Sequence, residues 1–401
     1  MQNVTFRLAL AQAASGLIGG VYTPFFGAWL AWRGLSPTEI GTLLAAGMLL
    51  RVVVVPLSAL IADARNDRRG GMLFLYLVML CGYGALNWVH GTTWIFLAAV
   101  CANIAGGAVS PLLESVSMRL SEVFKFDYGH VRVWASTLFV VGNIASGFAV
   151  SRFGLIAFAP WLTITLVLNV ATTWLLPAPP QKSPRDDLSL RLRSTIAEAR
   201  ELLRSPPFLV FLACAGLDQG SHAVYYALGG LHWRQLGYSG TLIGFLWPLG
   251  VLAEIALMSV SLHAFRVIGA PRLLMLGGLA CFVRWTIMAF DPPLPVVVAA
   301  QFLHGATFAM AHLGAMYFIL KSVPHRLSAT AQSLYAVSSS GIAMGLATLA
   351  SGPLYAAYGG RAYLLMAAMG LASMLLALVL ARQWHGGRLT QAEFEEILDT
   401  I

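Results

Sequence analysis

The stretch GLSPTEIGTLLAAGML, Gly34 to Leu49, returns 203 positions later as GYSGTLIGFLWPLGVL, Gly237 to Leu252. Gly34, Ser36, Thr38, Ile40, Gly41, Leu43, Gly47 and Leu49 fall on Gly237, Ser239, Thr241, Ile243, Gly244, Leu246, Gly250 and Leu252, eight identities in sixteen positions. Each copy is a turn that opens an apolar run, and each follows another apolar run. Self-similarity at this spacing marks a chain built twice over in the same direction.

Outward from the repeat, the composition says what surrounds the chain. Of its 401 residues 58% are hydrophobic and 10% charged, with a mean hydropathy of +0.75. A soluble domain carries about 25% charged residues, so this chain lacks the polar surface that water demands. Leu73 to Trp88, Ile95 to Leu113, Leu273 to Phe290 and Leu294 to Leu320 are apolar runs near or above the roughly 18–20 residues that cross hydrocarbon as a helix. They show no period-2 alternation, which excludes a barrel.

The expected spans are 6–32, 37–62, 71–89, 93–122, 130–152 and 156–176, then 207–233, 239–264, 271–290, 294–321, 326–355 and 360–382. This is an all-α membrane protein of twelve helices in two pseudo-symmetric bundles, residues 1–176 and 207–382, with a linker at 177–206 and a tail at 383–401. The first span is too long and too poorly flanked for a cleavable signal peptide. Parallel halves of this kind are expected to bind solute near the midplane between them and to rock around it.

Of the 25 Lys and Arg, nineteen fall at the termini or in loops after even-numbered spans, while the other loops hold only Arg33, Arg152, Arg234 and Arg361. The positive-inside rule then places both termini in the cytoplasm of a multi-pass inner-membrane protein. Topology accounts for the net charge of +8, and no nucleic-acid partner is implied. The linker from Asp186 onward repeats Leu188, Leu192, Ile196, Ala199 and Leu203 at helical spacing among arginines. It reads either as a basic amphipathic helix on the membrane surface or as a passive tether. The tail, with Glu393, Glu395, Glu396 and Asp399, reads as solvated. Cys81, Cys101, Cys214 and Cys281 lie in apolar spans without zinc-like spacing. They read as packing residues; no metal and no cofactor is implied.

Charges inside spans cost insertion energy and mark a partner or a task. Arg51 lies twelve residues from Asp63, about 18 Å along a helix, near mid-bilayer. The 203-residue offset sets it on Glu254. The two form either an ion pair across the interface or the cationic and acidic walls of one cavity. Arg284 is central too, and its guanidinium suits a carboxylate of the cargo or of Glu254. His304 and His312, eight apart around Phe308, share a helical face, as do Asp218 and His222, four apart; histidine can carry a proton near neutral pH. Glu114 and Arg132 flank an inner loop and read as an interhelical salt bridge. Asp63 with Arg68 and Arg69 suits a charge latch in a gating loop. Tyr22, Tyr225, Tyr226 and Trp247 add aromatic surface, and Tyr22 coincides with Tyr225 in the repeat. Stacking rings beside a central arginine suit an aromatic carboxylate, although such rings also serve as packing.

Asp63 to Arg69 resembles a degraded signature loop of the major facilitator superfamily, with Ala59 where the leading glycine is usual. Ser221-His222-Ala-Val-Tyr225-Tyr226, the Gly237 to Ile255 segment, Tyr128-Gly-His-Val-Arg132 and Leu303-His304-Gly resemble the phenylpropionate permease family, relatives of the lactose permease. The resemblance covers the whole chain; His130 replaces an arginine usual there. It implies substrate contact at Glu114 and Arg132, and functional positions at Glu254, Arg284, His304 and Asp218. Two positions depart: Gln301 stands where the lactose permease pattern has a lysine, and Thr307 where it has the proton-carrying glutamate. The proton carrier is therefore reassigned, with Glu254 first and His304 second.

The leading function is proton-coupled uptake of a small organic acid such as a phenylpropionate by a monomeric transporter. A proton-driven efflux antiporter for amphipathic compounds and a non-transporting receptor on the same fold are the alternatives. An enzyme is not indicated, since no nucleophile–base set appears.

Overall fold

The computed structural model describes residues 2–65, 67–177 and 188–389. Among them, every regular element is helical: α1 (Gln2–Trp32), α2 (Pro37–Ala64), α3 (Arg68–Ala85), α4 (Thr92–Phe124), α5 (Tyr128–Phe153), α6 (Phe158–Leu175), α7 (Leu188–Leu203), α8 (Pro206–Gly220), α9 (Ala223–Gln235), α10 (Gly240–Ile268), α11 (Ala270–Met288), α12 (Leu294–Phe302), α13 (Ala311–Ser322), α14 (Ser328–Ala336), α15 (Met344–Tyr358) and α16 (Tyr363–Gln383). Nine helical stretches among the described residues are long and apolar enough to cross a membrane. The last, His325–Gln383, runs 59 residues, or about 90 Å if straight, and is interrupted by a short 3-10 segment at Gly359–Ala362. Large apolar side chains face outward on many helices, among them Val53, Phe74, Trp94, Phe148, Trp174 and Leu320. That is the surface of a protein whose solvent is lipid.

The repeat is visible in the backbone. After α1, Gly34 adopts φ +92; its N–H bonds Ala31 O at 3.0 Å and Leu35 N bonds Leu30 O at 3.1 Å. After α9, Gly237 adopts φ +84, with Gly237 N to Arg234 O at 3.0 Å and Tyr238 N to Trp233 O at 2.9 Å. Only glycine takes this left-handed C′ position without strain. Serine then caps the next helix in both copies. Ser36 Oγ accepts from Glu39 N at 3.3 Å, and Ser239 Oγ accepts from Leu242 N at 3.1 Å.

Four expected spans differ in detail. The third begins at Arg68 rather than 71, because the Asp67 side chain accepts the Gly70 N–H at 2.7 Å and caps the helix three residues early. The seventh is two helices, α8 and α9, broken at Ser221-His222. The tenth and eleventh each contain a π-helical turn, Gly305–Met310 and Val337–Ala343, of the kind that often marks functional sites.

The described chain forms two compact units. The first comprises Met1–Arg185, Tyr225–Pro248 and Thr348–Ala357; the second comprises Asp186–Val224, Leu249–Ala347 and Tyr358–Ile401. Within the first, glycines let backbones meet. A Cβ on Gly230 would stand 1.8 Å from Pro24 O, and one on Gly27 would stand 2.1 Å from Ala227 O, so α9 rides directly on α1. Gly244 and Asn143 O (2.5 Å) join α10 to α5, and Gly352 and Pro37 O (2.6 Å) join α15 to α2. Ser151 Oγ seals the second junction by accepting from Thr241 N at 2.8 Å. The second unit is centred on Phe208, Phe211, Phe318 and Leu380, all fully buried.

Candidate functional site

The polar centre of the second unit is Arg284, fully buried on α11. Its Nη1 donates to His304 Nδ1 at 2.9 Å and to Thr307 Oγ1 at 3.4 Å, and its Nη2 donates to Gln301 Oε1 at 3.1 Å. The guanidinium carbon lies 4.4 Å from the centroid of the Trp285 ring, within cation–π range. A guanidinium only donates, so His304 Nδ1 is an acceptor here and the imidazole is neutral with its proton on Nε2. Gln301 and Thr307, the two departures from the resembled pattern, thus both serve Arg284. Gln301 comes from α12, Thr307 from the π turn that follows it, and His304 from the junction between them.

His222 extends the cluster. Its Nε2 lies 3.1 Å from Thr307 Oγ1 and its Nδ1 lies 3.2 Å from Asp218 O. The ring stands edge-on to Trp285 at 5.2 Å, and Trp285 Nε1 donates to Ser221 Oγ at 3.1 Å. His222 sits in the helix break itself, and its imidazole reaches the π turn at Gly305–Met310. Asp218 is buried one turn earlier, and its Oδ1 accepts from Cys281 Sγ at 3.5 Å. His304, Phe308 and His312 stack in a column, with centroids 5.7 and 6.1 Å apart, and His312 Nδ1 reaches Tyr335 OH at 3.4 Å. Glu254 is half-buried on α10 in the same unit.

The first unit has its own cation. Arg51 Nε and Nη2 both donate to Asn103 O, at 2.9 and 2.7 Å. Asn103 Nδ2 in turn donates to Tyr22 OH at 2.8 Å, and Tyr22 stacks on Phe26 at 4.6 Å beside Tyr83 at 5.7 Å. Gly107 leaves the slot in which Arg51 lies, since a Cβ there would stand 2.3 Å from Arg51 Cδ. The repeat's matched glycines do the same work in each unit. A Cβ on Gly47 would stand 2.5 Å from Asn103 Oδ1, and one on Gly250 would stand 3.0 Å from His304 Cβ. Elsewhere in the first unit, Trp247 packs on Tyr225 at 4.2 Å and on Tyr226 at 6.0 Å, with Trp233 against Tyr225 at 5.8 Å.

The remaining expected residues lie apart from both clusters. Arg132 Nε and Glu114 Oε1 form the expected pair at 3.1 Å, part-exposed, and the Tyr128 hydroxyl donates to Glu114. Arg68 donates to Ser115 and Arg69 to Trp174 O, so both arginines sit in the first turn of α3 rather than in a loop. The Asp63 side chain falls outside the described residues. Asn103, Tyr83 and Gly107 were not singled out by sequence. Asn103 carried a signal, as a polar residue within the apolar Ile95 to Leu113 run.

A family model for the MFS_1 like family matches residues 15–366. The chain belongs to this family. It is 30% identical over 361 residues to a protein named a probable 3-phenylpropionic acid transporter of Escherichia coli, covering 89% of this chain and 93% of that one. It is 25% identical over 351 residues to a maltose permease of Geobacillus stearothermophilus, covering 87% of each. Among solved structures the nucleoside transporter NupG superposes with a TM-score of 0.80 at 16% identity, over 96% of this chain and 99% of that one. The protein is therefore a multi-pass membrane transporter of the major facilitator kind, and the resemblance read from its motifs holds.

Proposed function

We propose that this transporter is a proton-coupled importer of a small aromatic carboxylate such as a phenylpropionate. It works by alternating access in a bacterial inner membrane, as a monomer of twelve spans with both termini in the cytoplasm. The repeated halves, 1–176 and 207–382, are its moving bodies. The observation that carries the reading is Arg284, a fully buried guanidinium held by His304, Gln301 and Thr307. Such a group is expensive to bury, and its planar fork matches a carboxylate. The name of the Escherichia coli relative supports the same cargo class.

In this reading the cargo carboxylate meets Arg284 and its ring packs among aromatic side chains. Arg51 is the second cation assigned to anionic cargo. His304 is the second proton candidate after Glu254. The cargo carboxylate competes for Arg284 Nη1 with the His304 Nδ1 acceptor, 2.9 Å away. His222 and Thr307 connect this nitrogen to the Asp218 helix, and Glu254 is the carboxylate assigned to carry the proton across. Equilibrium binding of 3-phenylpropionate against its neutral amide tests the cargo assignment. The acid should bind and the amide should not; equal binding of both contradicts a guanidinium-centred site.

A further inference from the structure

The linker helix α7 divides its residues into two faces of different chemistry. One face is fastened to the second unit. Glu201 accepts from Arg326 Nη2 at 2.8 and 3.0 Å, the Thr330 hydroxyl donates to Glu198, and Leu202 is fully buried in the Phe208–Phe318 core. These three residues fall on adjacent turns and account for both acidic side chains between Ser194 and Ser205. The other face is exposed and runs Arg193, Ile196, Ala197, Arg200, Leu203, Arg204. Its spacing of three and four residues makes it continuous. Ile196 is 66% exposed and Leu203 40% exposed, although both belong to the apolar stripe that an amphipathic helix would bury.

We propose that this face lies on the bilayer and binds the headgroups of acidic phospholipids. The attachment through Glu198 and Glu201 uses the negative charge inward and leaves a surface that is basic and apolar, with no acid between its arginines. Only Arg204 and Ser205 separate α7 from α8, which begins at Pro206, and its outward Leu209 is 46% exposed. The helix is thus held at the depth where a membrane span starts. There Ile196 and Leu203 can enter the headgroup layer while the arginine stems run alongside them and their guanidinium groups bind phosphate. A water-facing helix has no use for an exposed Ile196 flanked by arginines. A passive tether does not need an ion pair in which Arg326 Nη2 is shared between both oxygens of Glu201.

The test reads the position of the face rather than transport, so it stands or falls separately from the proposed cargo. Cys81 and Cys101, the exposed cysteines, are replaced by serine, and an environment-sensitive fluorophore is attached at Ile196→Cys in the full chain. The protein is reconstituted in phosphatidylcholine vesicles with and without phosphatidylglycerol. With phosphatidylglycerol the emission should move to shorter wavelength and become shielded from aqueous iodide. The shift should be lost in R193Q/R200Q/R204Q, kept in the corresponding triple lysine variant, and diminished at roughly 1 M salt, where the Debye length is about 3 Å. Emission that is the same in both vesicle types, or a shift that survives the triple glutamine change, overturns the proposal and leaves α7 a solvated helix or the seat of a protein partner.

Discussion

Gly107→Ala is the smallest change that should move a functional cation without disturbing the fold. The new Cβ would stand 2.3 Å from Arg51 Cδ, 2.4 Å from Nε and 2.6 Å from Cγ, where carbon contacts settle at about 3.5–4.0 Å. Arg51 must give by about 1 Å or more, and as a flexible side chain it can. It then leaves Asn103 O, to which it makes two hydrogen bonds of 2.9 and 2.7 Å. Bonds from a charged group are worth about 1.5–3 kcal/mol, so an Arg51 that must be reordered when cargo arrives should weaken affinity by roughly 10- to 150-fold. The helix itself should gain up to about 1 kcal/mol, because alanine replaces glycine in α4. Gly106→Ala is the matched control, since its Cβ would meet only the mobile end of Met79 at 3.1 Å. Binding of 3-phenylpropionate to both variants, with thermal unfolding in parallel, decides the matter. Wild-type affinity in Gly107→Ala would refute the role given to Arg51. A loss of folding would refute the claim that only a side chain has to move.

Arg284→Lys keeps the charge but loses the planar fork that serves His304 and Gln301 together, and binding of 3-phenylpropionate should fall about tenfold or more. Gly244→Leu should hold α10 away from α5, because its first obstacle is backbone, Asn143 O at 2.5 Å. A Ser151→Cys/Thr241→Cys disulfide, which the 2.9 Å contact between the two hydroxyls favours in the parent chain, should then fail to form. The part-exposed Arg132–Glu114 pair should contribute no more than about 1 kcal/mol to stability. Arg132→Gln should therefore leave thermal unfolding nearly unchanged, and a loss of uptake in it would place this pair on the cargo path. Glu254→Gln should retain exchange of cargo and lose gradient-driven accumulation; accumulation that persists would remove Glu254 as carrier.

Long-range identity and hydropathy carried the architecture. Gly34 and Gly237 were legible as repeated turns because a left-handed C′ position demands glycine, whatever surrounds it. Arg284 and His304 were legible because a charge or imidazole inside an apolar run has few ordinary explanations. The break at Ser221-His222 and the π turn at Gly305–Met310 were not. Both are choices of backbone hydrogen-bond register, and hydropathy is blind to register. Gly107 and Asn103 were missed for a different reason. Their role exists only because α2 and α4 approach closely enough for Arg51 to reach a backbone carbonyl, and that distance has no trace in either helix alone. In α7 the apolar stripe was found but its direction was not. Which face docks depends on Arg326 and Thr330, more than a hundred residues away.

The central claim is cargo uptake driven by protons, and the direct test is accumulation of labelled 3-phenylpropionate in proteoliposomes of the purified chain. With an inward proton gradient the label should concentrate inside, and it should fall back to equilibrium when a protonophore collapses the gradient. No gradient-dependent accumulation of 3-phenylpropionate, or of any member of a panel of aromatic and sugar substrates, would contradict the account.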